Sequence, residues 1–440
     1  MRRRAVIGGT IGAIVLLGLL LVSRAVNLRI VHFVPGQGPA KVTLTYVCWG
    51  DVTEQELNKH WVDEFAKQNA DLTINTVNTP GGQSTEDKIT TMIAGGSAPD
   101  VMYVWPEVFP TFVRKGIYAP LDPYMQRDGV QRQAWFHALI DFYTTDGHVY
   151  GLPRSWHPYV LFYNKRLFDE AGVPYPKASW TWDTVVREGR RLTKDRDGDG
   201  AVDQYAIGNV PWEIFVWGEG GRTFDREGRC YLDEPAAVRG LQLYRDLIWK
   251  WRIMPSPQEL QQTQSPQEMF ETGRLAMFAL GIWSVPAFRQ LQEFKWDIAP
   301  MPAGRVRKVT QLVTAGWGVS AQSRNADAAW RLVKYLSGPE AQAYQMKIWR
   351  DPSGLRDVFK GLMFFEPEKP PASRQVLLDS IAFGQFATPF EGQVEVYDQL
   401  TKTIEELTSG RAEDMQALGT RIREESDRIL ADYRRRNAGQ

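Results

Sequence analysis

The order of strand-like and helix-like segments near the start of the chain limits its fold most strongly. Val42–Trp49 reads VTLTYVCW, is rich in β-branched and aromatic residues and ends at Gly50, which predicts a strand. Apolar residues then recur at Leu57, Trp61 and Phe65, the spacing of one helix face. Two further predicted strands, LTINTVN and APDVMYV, follow with a helical segment between them. This alternation predicts an α/β fold in which helices cover a parallel sheet.

The same alternation returns later in the chain. Thr181 is a predicted N-cap of a helix, and Ala236–Trp251 and Ala326–Leu336 each carry apolar residues on one helix face. Tyr205–Gly208 reads as a strand, and Glu395–Arg436 as a helical, increasingly charged segment. At 440 residues the chain has the length of two or three domains.

Charge and cysteine content exclude several classes of protein. Lysine plus arginine and aspartate plus glutamate each total 52, and this neutrality argues against a nucleic-acid surface or a polybasic membrane patch. Cys48 lies in the first predicted strand and is expected to be a buried thiol, with no local support for a bridge to Cys230. The sequence contains no CxxC pair or Cys/His cluster, so it indicates no zinc site.

Common catalytic motifs are absent from the sequence, which has no GxGxxG, GxxxxGK[ST], GxSxG or HExxH segment. Five histidines show no metal-ligand spacing and are interpreted as surface or packing residues: His32, His60, His137, His148 and His157. Paired carboxylates for glycoside cleavage meet only in the folded chain, so a glycan-cleaving enzyme stays open as an alternative.

The N-terminal residues resemble an export signal. Arg2–Arg4 precede an apolar stretch over Ala5–Val22, and Ser23–Ala25 follows with small residues two apart. The stretch is also near the minimum length of a membrane span, so residues 1–25 are a cleaved signal peptide or an uncleaved anchor. Either alternative places the rest of the chain outside the cytoplasm, with residues 26–40 as a linker.

Tryptophan is unusually frequent, with 16 residues, and one group of them follows predicted strands or lies in Gly/Pro-flanked loops. Ligands of open α/β sheets bind beyond the carboxyl ends of strands, where an indole can stack on the apolar face of a sugar ring. For each member, folding over the core is the alternative. The group is Trp49, Trp105, Trp156, Trp217, Trp283 and Trp317, and the candidate polar partners are Asp51, Glu107, Glu219 and Arg356.

Seven segments in a fixed order resemble the extracellular solute-binding proteins of ABC importers, in the sugar-binding family that includes maltose-binding protein. Together they span roughly residues 41–430. The segments are GGSAPDVMYV (95–104), GIYAPLDPYM (116–125), YGLPRSWHPYVLFYNKRLFDEAGVPYP (150–176), TWDTV (181–185), GEGGRTFDREG (218–228), FETGRLAMFALGIW (270–283) and AGWGVSAQS with AAWRLVKYLSGPEAQ (315–342).

The resemblance implies a two-lobed α/β clamp of type II with discontinuous lobes, one over 41–150 plus 315–352 and the other over 151–314 plus 353–435. The ligand then lies between the lobes, close to the six tryptophans and their polar partners. The segment around Arg356, DPSGLRDV, departs from the family pattern, and so does the absence of a lipid-attachment cysteine. The implied protein is an extracytoplasmic monomer that needs no cofactor and delivers a sugar or oligosaccharide to a membrane permease.

Two other functions remain as alternatives: a clamp that binds a non-sugar solute or acts as a sensor, and the glycan-cleaving enzyme. A sugar is favoured over an anion because the candidate residues combine tryptophans with mixed charge. A phosphorylated or dicarboxylate ligand would call for clustered arginine or lysine, which the sequence does not show.

The stretch DRDGDGAVDQY over 195–205 resembles a calcium-binding loop. Asp195, Asp197 and Asp199 match the first ligand positions of an EF-hand, and Asp203 matches a later one. Ala206 stands where the bidentate glutamate belongs, and a strand follows, so a helix-loop-helix sensor is excluded. A structural Ca²⁺ site and a solvated Asp/Gly turn both remain open.

Overall fold

The computed structural model describes residues 41–79, 83–104, 106–262, 264–362, 366–412 and 414–438. The predicted signal or anchor, the linker and Trp105 lie outside the described residues. From Val42 onward the described residues belong to one unit.

The strands of the described residues are numbered in chain order. They are β1 (Val42–Trp49), β2 (Leu72–Thr79), β3 (Val101–Val104), β4 (Thr144–Thr145), β5 (His148–Val149), β6 (Leu152–Pro158), β7 (Val160–Asn164), β8 (Tyr205–Gly208), β9 (Leu275–Leu280), β10 (Trp296–Ala299), β11 (Thr310–Val319) and β12 (Gly384–Phe386).

The helices of the described residues are numbered in the same way. They are α1 (Val52–Gln68), α2 (Gln83–Ala94), α3 (Phe109–Arg114), α4 (Asp122–Arg127), α5 (His137–Phe142), α6 (Lys165–Ala171), α7 (Trp182–Leu192), α8 (Trp212–Gly218), α9 (Pro235–Trp249), α10 (Pro257–Gln262), α11 (Pro266–Glu271), α12 (Val285–Phe288), α13 (Ala326–Leu336), α14 (Pro339–Lys347), α15 (Arg356–Leu362), α16 (Gln375–Ile381), α17 (Gln393–Thr408) and α18 (Met415–Asn437). Within the described residues, no helix combines the length and the apolar character that a membrane crossing requires.

β1 lies inside the first sheet, whose strand order is β12-β11-β3-β1-β2, with β6 paired to β11. β1 is parallel to β2 and β3, as the opening alternation predicts. β11 returns antiparallel to β3 and to β6, so the sheet is mixed. The second sheet has the order β10-β7-β9-β8 and pairs β8 in parallel with β9.

Alternating side chains of the inner strands supply a separate core on each face. Leu44 and Tyr46 of β1 pack into one buried cluster, and Val47 packs into another. In β7, Leu161 and Phe162 divide in the same way. Helices therefore cover both faces of each sheet, the arrangement expected of an α/β fold.

The predicted helix boundaries agree closely with the structure. Thr181 caps α7, because its Oγ1 accepts a hydrogen bond from the Thr184 amide at 3.3 Å. The helix predicted over Ala326–Leu336 has those bounds, and the one predicted over Ala236–Trp251 occupies Pro235–Trp249. Cys48 is a buried thiol, as predicted, and Cys230 is a buried free thiol as well; burial raises the pKa of each to about 12.

Short connections carry the chain between the two sheets. Tyr159 alone separates β6 from β7, and residues 300–309 join β10 to β11. The lobe boundary predicted at residue 151 falls before β6, yet β6 pairs with the first sheet. β12 also pairs with the first sheet, although 353–435 was assigned to the second lobe. The division into lobes remains a proposal, and these pairings move its first boundary to Tyr159.

Candidate functional site

A cavity of about 800 Å³ opens at the carboxyl ends of β1 and β3. The turn from β1 into α1 contributes Trp49 and Asp51, and the residues after β3 contribute Glu107. β6 lines the cavity with Arg154 and His157. Further lining comes from Trp283 in the turn after β9, the segment Arg350–Asp351, the middle of β11, and the starts of α2 and α17. Residues distant in sequence therefore meet in one space.

Two half-buried indoles flank the cavity, Trp49 and Trp283. Trp49 lies edge-on to Tyr103, with ring centroids 5.5 Å apart. Trp283 makes edge contacts with His157 at 4.9 Å and with Tyr159 at 6.0 Å. These contacts hold both indoles in place while part of each ring stays accessible to a ligand.

A buried ion network forms one side of the cavity around Arg154, which is 2% exposed. Its guanidinium donates two hydrogen bonds to Glu54, at 2.6 and 2.9 Å, and a short one to Asp351. The guanidinium carbon of Arg154 also lies 5.0 Å from the ring centre of Trp61 and 5.7 Å from the ring centre of Trp317. Although burial alone would raise the pKa of Asp351, Arg154 and the hydrogen bond from His157 hold that pKa well below its usual range. Arg154 and Asp351 therefore form a charged pair at neutral pH.

Arg350 extends this network to the cavity mouth. Its guanidinium lies 3.3 Å from Glu54 and 3.2 Å from Asp51, and it donates to the main-chain oxygen of Trp283 at 3.2 Å. Asp51 is also the N-cap of α1, since it accepts from the Glu54 amide at 2.9 Å. One side chain therefore connects the end of β1 with the turn that carries Trp283.

One ring nitrogen of His157 has no hydrogen-bond partner. Its Nε2 donates to Asp351 Oδ1 at 2.8 Å, while Nδ1 is buried without a hydrogen-bond partner. The residue is 5% exposed and lines the cavity. In the neutral ring, an Nε2 that donates leaves Nδ1 as a hydrogen-bond acceptor.

Carboxyl groups on another wall have raised pKa values. Desolvation first, and then the nearby Glu395, raise the pKa of Glu86 to about 7. Glu107 is exposed to the cavity. Because the surrounding protein desolvates its carboxyl group, the pKa of that group is raised. This wall therefore combines acceptors with negative charge that is poorly compensated.

The chain matches the family model described as bacterial extracellular solute-binding protein over residues 50–343. It belongs to this solute-binding family. The matched region covers the second sheet and most of the first, and it contains every residue that lines the cavity except Trp49, Arg350, Asp351 and the residues of α17.

Relatives with assigned names are distant in sequence. A protein of Brucella abortus named as a binding protein is 25% identical over 277 residues, 62% of this chain and 66% of its own length, so the match spans slightly less than two thirds of that relative. The arabinooligosaccharide-binding protein of Bacillus subtilis is 25% identical over 318 residues, 70% of this chain and 71% of its own.

Solved structures share the fold. An ABC substrate-binding protein of Listeria monocytogenes in complex with cycloalternan superposes with a TM-score of 0.80 at 24% identity, over 89% of this chain and 99% of the other. A maltose-bound protein of T. maritima gives 0.75 at 20% identity, over 88% and 100%. The predicted two-lobed α/β fold and the predicted family are thereby confirmed.

Four of the predicted site residues of this solute-binding protein line the cavity together: Trp49, Asp51, Glu107 and Trp283. Trp49 is the last residue of β1 and Glu107 follows β3, as the strand-end argument requires. Trp105 lies outside the described residues.

Three other predicted tryptophans lie in the core and outside the cavity lining. Trp156 of β6 packs between Phe136 and Phe359. Trp317 of β11 is fully buried, and its Nε1 donates to the Tyr46 hydroxyl at 2.9 Å. Trp217 is 1% exposed in the core beside the second sheet. For these three, the geometry matches the alternative of core packing.

The two remaining polar candidates also lie away from the cavity lining. Glu219 is 5% exposed and faces Arg239 at 3.4 Å. Arg356 is exposed at the start of α15, where the segment already departs from the family pattern. Arg350, six residues earlier, occupies the cavity instead.

Sequence reasoning missed the ion network and the contributions of α2 and α17: Glu54, Glu86, Arg154, His157, Arg350, Asp351, Tyr397 and Asp398. A usable signal existed for Arg154, because an arginine inside an otherwise buried strand must be paired. The others carry no local signal, since their partners are distant in sequence.

The aspartate-rich loop lies between α7 and β8. One carboxylate oxygen from each of Asp195, Asp197 and Asp203 lies within 4.8 Å of the others, and Asp199 is not in this group. Asp195 also accepts from the Gly198 amide at 2.7 Å and the Gly200 amide at 2.9 Å. The donor set suits a hard cation, and the backbone bonds equally suit a solvated turn, so structural calcium remains a prediction.

Proposed function

We propose that this protein binds an oligosaccharide outside the cytoplasm and delivers it to the permease of an ABC importer. Family membership supports solute binding, and the names of relatives support the class of solute. One relative is an arabinooligosaccharide-binding protein, and one structural neighbour was solved with cycloalternan. The signal or anchor over residues 1–25 supplies the proposed route of export.

The observation that carries the proposal is the pair of fixed indoles in a cavity rich in hydrogen-bonding groups. A volume of about 800 Å³ lies within the roughly 300–1,000 Å³ of typical ligand sites and accommodates more than one sugar ring. Trp49 and Trp283 would stack on the C–H faces of the rings, while Asp51, Glu107 and His157 would bind hydroxyls. Catalysis is not needed to account for any of these groups.

Trp283→Ala and Trp49→Ala are each expected to weaken oligosaccharide binding by about tenfold to a hundredfold, because each removes a stacking surface. Ligands are first found in a thermal-shift screen of malto-, arabino-, galacto- and manno-oligosaccharides, since binding to the folded state raises the melting temperature. Affinities of the hits are then measured by calorimetry.

Trp249→Ala is the matched control, since Trp249 is 37% exposed on α9 and does not line the cavity. Normal binding by both cavity variants would contradict the assignment of the site. A shift with peptides or polyamines and with no glycan would contradict the class of ligand, and turnover of a glycan by the purified protein would favour the enzyme.

A further inference from the structure

The described lining of the cavity carries far more negative than positive charge. Two guanidinium groups and one imidazole face six carboxyl groups. The guanidinium groups of Arg154 and Arg350 are already engaged by Glu54, Asp51 and Asp351. The remaining carboxyl groups make no ion pair with a described residue: Glu86, Glu107 and Asp398.

Two of these groups belong to helices about 300 residues apart in the chain. Glu86 lies in the first turn of α2 and Asp398 in the second turn of α17, and both line the cavity. Glu86 Oε2 is buried without a hydrogen-bond partner. An unpaired buried carboxylate oxygen is unfavourable unless a donor or a cation approaches it.

A second unpartnered group of the same cavity accepts a hydrogen bond when its ring is neutral. His157, 5% exposed, has an unpartnered Nδ1 that accepts when its Nε2 donates to Asp351. A neutral sugar hydroxyl offers one donor and two acceptor positions, whereas an ammonium group offers three donors, no acceptor and a positive charge. The carboxyl groups of Glu86, Glu107 and Asp398 match the ammonium better.

We propose that the preferred ligand of this cavity is a saccharide that carries a protonated amino group, an inference that rests on the proposed carbohydrate-binding function. The amino group lies between Glu86 and Asp398, and the sugar rings lie against Trp49 and Trp283. A cation there also removes the repulsion between carboxylates of α2 and α17.

Protonation of Glu86 gives the proposal a pH dependence. The pKa of Glu86 is raised to about 7, mainly by desolvation and further by the carboxylates of Glu395, Asp87 and Asp398. The ammonium group of Lys115 acts in the opposite direction and lowers this pKa. An ammonium group binds the ionised carboxylate, so affinity is expected to fall as the pH decreases from 7 to 5.5. The sugar amine stays mostly protonated over this range, because amines of this kind titrate near pH 8.

The test measures the affinity of the purified protein, by calorimetry, for pairs of saccharides that differ at nitrogen. The probes are glucosamine, galactosamine, mannosamine and the glucosamine dimer, each beside its neutral N-acetyl counterpart, with spermidine as a cation that lacks a sugar. At least one amine is expected to bind about tenfold more tightly than its N-acetyl form at low salt, and the preference is expected to shrink at high salt.

Glu86→Gln and Asp398→Asn are each expected to reduce that preference, and either variant serves if the other fails to fold. Glu405→Gln on the exposed face of α17 is the matched control and is expected to keep it. If neutral saccharides bind and no amine binds more tightly than its counterpart, the inference is overturned and the proposed function stands. If spermidine binds as tightly as the best amino sugar, the inference is overturned too, and if no saccharide binds, the proposed function itself fails.

Discussion

Arg154 shows how a single residue connects fold and site. It lies in β6, where every residue is buried. Its charge is balanced by Glu54 from α1 and by Asp351 from the segment between α14 and α15. Three segments of the chain must therefore be folded together before this guanidinium is paired. A buried ion pair adds little net stability compared with apolar packing, but losing one partner leaves an uncompensated charge.

Arg154→Met is expected to lower the free energy of unfolding by about 3–5 kcal/mol, because it leaves the buried carboxylates of Glu54 and Asp351 without the charge of Arg154. Urea denaturation followed by far-ultraviolet circular dichroism measures the change. Arg226→Met, at an exposed position, is the matched control and is expected to stay within about 0.5 kcal/mol of the wild type. A similar unfolding free energy for both variants would show that the network does not stabilise the fold.

Residues at strand ends were the predictable part of the site. Trp49 and Asp51 follow a strand that the sequence marks clearly, so their position at the sheet edge follows from topology. The sequence places Trp156 and Trp317 among the loop tryptophans because glycines and prolines surround them, yet β6 and β11 run through those segments. β6 tolerates its prolines because β11 is its partner in the described sheet and its other edge makes no ladder there.

The loop between α7 and β8 has a conformation that the sequence predicts and an ion-binding property that it does not. Its length and its Asp/Gly pattern were clear from the sequence, and so was the strand that follows. Three of its four predicted ligand carboxylates converge, while its own backbone amides occupy several of their oxygens. The backbone hydrogen bonds of the loop are compatible both with a bound Ca²⁺ ion and with a solvated turn. The free energy of Ca²⁺ binding therefore decides between these two interpretations.

Any effect of calcium is expected on the melting temperature and not on the choice of ligand, because the loop carboxylates do not line the cavity. Calorimetric melting in calcium and in a chelator measures it, with Asp197→Asn as the test variant. Glu227→Gln, at another exposed turn, is the control. Identical curves for the wild type under both conditions would leave the loop as a solvated turn.

Across the whole molecule, residues at the ends of strands from both sheets line one cavity. Trp49 is the last residue of β1 in the first sheet, and Trp283 follows β9 of the second. A ligand that contacts both indoles binds more tightly to a closed conformation, in which both sheets reach it, than to an open one. Such a ligand increases the population of the closed conformation.

A bound oligosaccharide is expected to decrease the radius of gyration measured by small-angle X-ray scattering, since closure brings the two halves together. Trp283→Ala, examined at a ligand concentration that saturates the wild type but not the variant, is expected to show a smaller decrease. An unchanged radius in saturated wild-type protein would indicate a cavity that is preformed and does not close.

The sequence by itself determined the alternation of strands and helices, the α/β class, the family and the indoles at strand ends, because these depend on residues near one another in the chain. Only the tertiary structure decided which tryptophans face the cavity, that Arg154, Arg350 and Asp351 form its buried network, and that carboxylates of α2 and α17 share one wall. Those features depend on contacts between segments as much as 300 residues apart, and local propensity carries no information about such contacts.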